Sequence, residues 1–497
     1  MATTNSKIDY IREEVLARLA QYRMIDDCLE GENAVRRAGV TYLPYPGVDD
    51  GSDKSKDRYD SYLKRARFYN VAWRTWSGIV GQCFQKDVVI DVDPVLAPLV
   101  RSVDGSEVSL VQQIKRSSGE VLGKGRVGLL VDFPDVDGPV SREDLQSGRI
   151  SPTIAIYTAA AITNWRTARV GSQVCLVMVE LQEVAEIDDG HAITYEDRWR
   201  EVALVDGKCT VYLYKRATDG TGGFDMISGY PRTVDDASGT PLDFIPFIAV
   251  GSENNDASVD RPPMYDICSL NIGHWINSAE WEESAFMVGQ PTPVVTGLTT
   301  DWYDNVLHKK ITLGSRSGIP LPVGGTASLL QPEPNTMAAE GMKDKESRMV
   351  ALGARLVQPK AGPVTATEAK INYATESSVI ATAIGNIQTA YEQALTWCGL
   401  FVGAAKPPKV QLNKDISISF LTPDELRLLS ELREGGDITR SEFRAILLKA
   451  GWATLSLDDY NAERAAEGPS YDVAPTPQKD TEVRRDQQED TSDTAKV

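Results

Sequence analysis

Apolar residues recur near the 3.6-residue period over residues 7–40, at Ile8, Ile11, Val15, Leu16, Leu19 and Ile25, which predicts helix there. TYLPYPGVDDGSDKSKDRYD breaks the pattern with Pro and Gly and predicts a loop. RYDSYLKRARFYNVAWRTWSGIVGQCF resumes it as one amphipathic helix carrying Tyr62, Phe68, Trp73, Trp76 and Ile79, followed by a short strand, DVVIDV. Residues 109–122 predict another helix. From 150 to 260 the period shortens. TIAIYT, VCLVMVELQEV, AITYEDRWREVAL and CTVYLYKR alternate or run β-branched and aromatic between Gly, Asp and Asn turns, which predicts antiparallel strands. The first half therefore reads as α+β.

The second half is mostly helical. DRPPMYDICSLNIGHWINSAEWEESAFMVGQ predicts a helix with an Asp cap and prolines in its first turn, a rod of roughly 40 Å. Residues 290–336 read as loop and short strand, and 336–357 as helix again. Thr365 and Glu368 have capping-box spacing and start a helix over about 366–404, which Gly385 is placed to bend. KVQLNKDISISF predicts a strand, and TPDELRLLSELREGGDITRSEFRAILLKAGW two helices around Gly435 and Gly436. Residues 468–497 carry many charges and almost no large apolar side chain, so disorder is expected there.

A chain of 497 residues is longer than one core usually supports, so more than one domain is expected. A net charge of −19 argues against a surface that coats itself in nucleic acid, which requires clustered Lys and Arg. It leaves room for a surface that DNA slides past without sticking. The six cysteines have no CxxC spacing, which points to buried free thiols in a reducing compartment. The N-terminal MATTNSKIDYIREEV lacks an apolar core, so no secretory signal is expected, and no run of 18 apolar residues suggests a membrane span.

Motifs for chemistry are sparse. Gly123, Gly125 and Gly128 form a literal GxGxxG, but a helix precedes and a strand follows, the reverse of the order that sets a phosphate on a helix N-terminus. A glycine-rich helix-to-strand turn is the expectation. Asp132, Asp135 and Asp137 have a spacing that could hold a cation, though a solvated turn explains them as well. His191, His274 and His308 belong to no hydrolase or zinc motif. Arg440, Arg444 and Lys449 suggest a helix-turn-helix, against which stand the acidic flank and the overall charge; a small helical packing unit is the alternative. No enzyme and no cofactor or metal is expected.

The order of parts carries more information than any motif. YLKRARFYNVAWRTWSGIVGQCFQK, GRVGLLVDFP, AITNWR, FIPFIAVG, PPMYDICSLNIGHWINSAEWEE and MVALGARLVQPKAGPVTATEAK follow one another in an arrangement that resembles the portal proteins of tailed bacteriophages, in the branch built around an uncharacterised domain. The resemblance implies an α+β portal fold, with an α/β wing, paired stem helices, a small α/β clip, a long wing helix and a short helical crown. On this chain the N-terminal arm and wing would be 1–260, the first stem helix 261–288 and the clip 289–336. The second stem helix would be 337–357, the tunnel loop 358–366, the wing helix and return strand 367–420, the crown 421–467 and the tail 468–497.

The implied function is a homo-oligomeric ring of about twelve copies at one capsid vertex. It would be the channel for double-stranded DNA packaging by terminase and for ejection, and the docking site for adaptor and tail proteins. Capsid and scaffold proteins would be further partners, and no membrane is implied. The location would be the virion, after assembly in the host cytoplasm. Another ring-forming virion component, such as an adaptor or tail protein, is the alternative.

In LVQPKAGPVTATEAK, Pro359 and Pro363 would stop helix continuation, Gly362 would permit a turn, and Thr365 would restart a helix. The resemblance makes Lys360 a DNA contact repeated once per subunit; a merely solubilising lysine is the other reading. Lys343, Lys345 and Arg348 would line the channel from the stem, or pair across helices with Glu340, Asp344 and Glu346. Trp275, Trp281 and Phe286 are expected to pack between neighbouring subunits. Trp302, Tyr303, His308, Lys309, Lys310 and Arg316 mix aromatic and basic character, which suits a docking surface in the clip or contact between clips.

Overall fold

The computed structural model describes residues 8–133, 143–144, 149–217, 222–289, 292–310, 319–330, 336–353, 366–414, 423–449, 453, 455 and 457–467. It divides into a unit spanning Met1–Ile416 and a smaller one spanning Ser417–Val497. Helix and strand are both abundant, as an α+β reading requires.

Gly31, at φ 109°, splits the predicted N-terminal helix into α1 (Glu13–Glu30) and α2 (Glu32–Ala38). The following loop ends earlier than its composition suggested, because Ser52 Oγ accepts from Ser55 N at 3.2 Å and starts α3 (Asp53–Arg65). The single amphipathic helix expected next is two: α3 and α4 (Val71–Cys83). The break has partners on both sides. Asn70 Oδ1 caps α4 by accepting from Trp73 N at 2.9 Å, and Asn271 Oδ1 accepts from Val71 N and Ala72 N, each at 3.0 Å.

β1 (Val89–Asp91) pairs antiparallel with β13 (Lys409–Gln411), which joins the start of the chain to the predicted return strand. After α5 (Ala97–Arg101), the Ser109–Gln112 capping box opens α6 (Leu110–Lys124). Gly125, left-handed at φ 81°, ends α6 and leads into β2 (Arg126–Asp132). A Cβ on Gly125 would lie 2.8 Å from the Arg261 carbonyl oxygen, and one on Gly128 would lie 2.7 Å from the Phe247 ring. The glycine motif is thus a helix-to-strand turn that admits this chain's own neighbours.

β2 is the centre of an antiparallel sheet between β3 (Thr153–Thr158) and β10 (Phe247–Gly251). Next come β4 (Ile162–Val170), β5 (Gln173–Asp188), β6 (Ile193–Val205), β7 (Lys208–Arg216), β8 (Phe224–Met226) and β9 (Arg232–Thr233). They form a second antiparallel sheet in the order β4-β5-β6-β7-β8, with β9 also on β7. Alternation sends Val179, Leu181, Val202 and Val211 to one face, into the main core.

α7 (Tyr265–Val288) begins later than expected, and Asp260 is not its cap. Asp260 is buried, and its Oδ2 accepts from Glu253 N at 2.8 Å and Ser252 Oγ at 3.3 Å. β11 (Thr292–Thr296) and β12 (Thr326–Leu330) form a two-stranded antiparallel ribbon, and α8 (Met337–Ala351) follows. α9 (Ala366–Val402) runs 37 residues, continuous through Gly385 and roughly 55 Å long. Its Ile384, Ile387, Tyr391 and Leu395 are buried in the main core. Thr365, the expected cap, lies outside the described residues.

The smaller unit holds α10 (Pro423–Glu434), α11 (Arg440–Lys449) and α12 (Leu457–Glu467). The first two match the helices expected around Gly435 and Gly436; α12 was not foreseen. Arg440 and Arg444 stack on Tyr460 at 5.6 and 4.0 Å, and Arg444 Nε donates to the Leu455 carbonyl at 3.1 Å. These arginines hold the helical unit together, as the packing alternative expected. Residues 468–497, expected to be disordered, lie outside the described residues. Among the described residues no helix is long and apolar enough to cross a membrane.

Candidate functional site

The apolar stripe of α7 runs through Ile267, Asn271, Trp275 and Ser278, all buried, at helical spacing. Trp275 is wholly buried, packed in a second core with Ile25, Cys28, Tyr59, Tyr62 and Ala72 from the N-terminal helices. The expectation that it packs between subunits is corrected: this chain covers it completely. Trp281 and Phe286, farther along, remain about 40% exposed. The two polar members of the stripe tie it to the α3–α4 break. Asn271 does so as described above, and Ser278 Oγ accepts from Arg67 N at 3.0 Å. Near the exposed end, Arg65 forms an ion pair with Glu283 and lies 4.3 Å over the Phe286 ring.

α8 lies antiparallel on α7: Lys345 lies beside Gly273, and Asn277 beside Gly341. A polar contact crosses between them, His274 Nε2 to Glu346 Oε1 at 3.2 Å, with the imidazole buried. Of the expected stem cations, Lys343 is exposed, Lys345 is half-buried, and Arg348 Nε pairs with Asp344 Oδ2 at 2.9 Å within its own helix. The expected pairing of these cations across the two helices is therefore corrected for Arg348, and His274 makes the crossing contact instead.

The chain leaves α7 and enters α8 at the same end of the pair, and β11 and β12 lie between them in sequence. Thr296 Oγ1 and Thr326 Oγ1 meet at 2.7 Å across the ribbon, while Leu329 and Leu330 stay exposed. A helical turn at Trp302–Val306 brings most of the expected clip residues together. Trp302 Nε1 donates to the Pro320 carbonyl at 3.1 Å, and Tyr303 Oη to the Lys309 carbonyl at 3.3 Å. Lys309 Nζ lies 3.9 Å from Asp304, and His308, Lys309 and Lys310 are exposed. Arg316 lies outside the described residues, as do Pro359, Lys360, Gly362 and Pro363 between α8 and α9.

α9 is fixed to α6 and to β10 by polar contacts. Tyr391 Oη meets Ser117 Oγ at 2.7 Å and donates to Gln113 Oε1 at 3.2 Å, and Asn386 Nδ2 donates to the Gly251 carbonyl at 3.0 Å. Burial pushes the Tyr391 phenol well above its ordinary range.

The remaining candidates have structural partners. Asp132 accepts from Arg232 at 2.7 Å and lies 3.6 Å from Arg200, while Asp135 and Asp137 lie outside the described residues. Among the described residues no three potential ligands gather at a metal-binding distance. His191 sits exposed in the turn between β5 and β6. Five cysteines are buried free thiols, and Cys175 is half-buried. Burial pushes the Cys83 and Cys209 thiols up to about 12.

Asn271 and Ser278 were missed from sequence, although the signal was present: polar side chains on the apolar stripe of a helix need buried partners. Their partners lie about 200 residues earlier, beyond the reach of local pattern. A family model described as a domain of unknown function, DUF4055, matches residues 263–402. No curated protein matches the chain. The matched stretch runs from just before α7 to the last residue of α9, so α7, the β11–β12 ribbon, α8 and α9 all lie within it.

Proposed function

We propose that the chain is the subunit of a phage portal, a ring of about twelve copies at one capsid vertex through which duplex DNA enters and leaves. One observation carries the reading. Two antiparallel helices, α7 and α8, have a ribbon and an aromatic-basic turn between them at one end, and the chain leaves the other end toward a helix of 37 residues. That order matches the paired stem, clip, tunnel loop and wing helix of the resemblance. It also coincides with the matched family block. The first unit without this block is the wing, and the smaller unit the crown.

In this reading the protein performs no chemical step. It is a conduit and an assembly hub in the virion, contacting terminase, adaptor and tail proteins, capsid and scaffold. Lys360 contributes one cation per copy to the bore. A chain of net charge −19 supplies walls that do not retain phosphates, so passing DNA is touched and released. The turn at Trp302–Lys310 and the exposed ribbon are the docking face.

Lys360→Ala tests the charge directly. Rings should assemble as in the parent, while particles carrying the variant should package or retain less DNA. Normal packaging and retention of full-length DNA by variant particles would remove Lys360 from the mechanism.

A further inference from the structure

Arg126, the first residue of β2, is 2% exposed, and among the described residues no carboxylate lies within ion-pair distance of it. Its neighbours among the buried cations are treated differently. Lys124 Nζ has Asp26 at 2.8 Å and Glu120 at 2.9 Å, and Arg200 has Glu183 at 2.5 Å and Asp132 at 3.6 Å. Arg126 has only the Ala257 carbonyl, accepting from Nη2 at 3.2 Å, and the Trp165 ring 4.3 Å from its guanidinium. Its Nε and Nη1 lack partners, as does the nearby Tyr22 hydroxyl. Asp260, the buried acid in this neighbourhood, gives its Oδ2 to Ser252 and Glu253. Asp260 and Glu14 act on the guanidinium only from beyond ion-pair distance, and a buried guanidinium with no carboxylate in contact costs several kcal/mol, which an anion at the same place offsets.

A cavity of about 290 Å³ opens beside it, lined by Arg126 and Trp165 with Val174, Phe247, Asn255 and Asp256, whose Oδ1 accepts from Ser258 N at 2.8 Å. It is mostly apolar, with few polar groups, the composition of a pocket for a small amphipathic ligand. We infer that this cavity is a binding site for a single oxyanion group, carboxylate or phosphate, held by Arg126 with its apolar remainder against Trp165 and Phe247. The site is independent of the portal reading, since it needs neither a ring nor DNA. The oxyanion comes either from solution or from a side chain of another copy of this chain.

The test titrates the full-length chain with butyrate and with inorganic phosphate, by calorimetry and by thermal unfolding, in both assembled and dissociated samples. Saturable binding of one ion per chain, with a rising Tm, is expected. Arg126→Met should abolish it. Should that variant fail to fold, Val174→Glu provides a second route, because Val174 is 69% exposed at the rim and a carboxylate there supplies the anion from within the chain. Val174→Glu should fold and bind neither ion. Binding in both samples supports a ligand from solution, and binding only in the dissociated chain supports one from a second copy. No saturable binding in either sample, or unchanged binding in Val174→Glu, overturns the inference.

Discussion

Glu180 on β5 faces Glu201 on β6 directly across the strand pair, and Asn164 Nδ2 donates to it at 3.0 Å. Removal from water is the main reason its pKa rises to about 7; the Asn164 hydrogen bond opposes the rise, the neighbouring Glu201 adds to it, and Arg166 opposes it. An unfolded Glu titrates near 4.3, so between that value and about 7 the folded state holds a proton that the unfolded state has released. Stability from this group is therefore full below about pH 4 and is lost as pH rises through 7. Glu180→Gln removes the titration. The variant should be more stable than the parent by roughly 2–3 kcal/mol at pH 8, and the gap should close toward pH 4. Urea unfolding at several pH values measures this; a gap that does not change with pH contradicts it. Nothing in the alternating pattern of the strand marks Glu180 as buried, since polar residues at that period normally face water.

The α3–α4 break shows what an element owes to a distant part of the chain. Asn271→Ala leaves the Ala72 amide without its partner and takes one of two partners from the Val71 amide and the Tyr69 carbonyl, and should cost about 2–3 kcal/mol. Asn70→Ala removes the cap on Trp73 N and a hydrogen bond to the Cys28 carbonyl, and should cost about 1–2 kcal/mol. Denaturation midpoints at constant slope compare the two; a smaller loss from Asn271→Ala than from Asn70→Ala would mean that Asn271 is not what chiefly holds the break. The same contrast explains what was legible in the sequence. Ser109 and Gln112 announce α6 within four residues, and the alternation of TIAIYT announces β3. Period and caps are local, and so are those elements. The break at 66–70, the start of α7 at Tyr265 and the burial of Trp275 depend on tertiary partners; local pattern misassigned the first two, and the resemblance the third. Asp260 misled because a carboxylate before two prolines looks like a cap, yet its Oδ2 accepts from Ser252 and Glu253 instead. Of the candidate site, the order of helix, ribbon, helix and long helix was readable. The His274–Glu346 crossing and the cavity at Arg126 were not, because each joins segments distant in sequence.

At the scale of the molecule, one subunit leaves surfaces that a closed assembly would use. Trp281 and Phe286 on α7 stay about 40% exposed, and β12 shows Leu329 and Leu330 on a ribbon of two strands, which is marginal in water without neighbours. Repetition about an axis would give these faces partners and would turn a single lysine between α8 and α9 into a collar. The most direct measurement is the native mass of the purified full-length chain together with particle images. The account predicts a closed ring of about twelve copies around an opening that admits duplex DNA, with the 358–366 segment facing the opening. A stable monomer, a closed dimer, or a ring with that segment on its outer surface would contradict it.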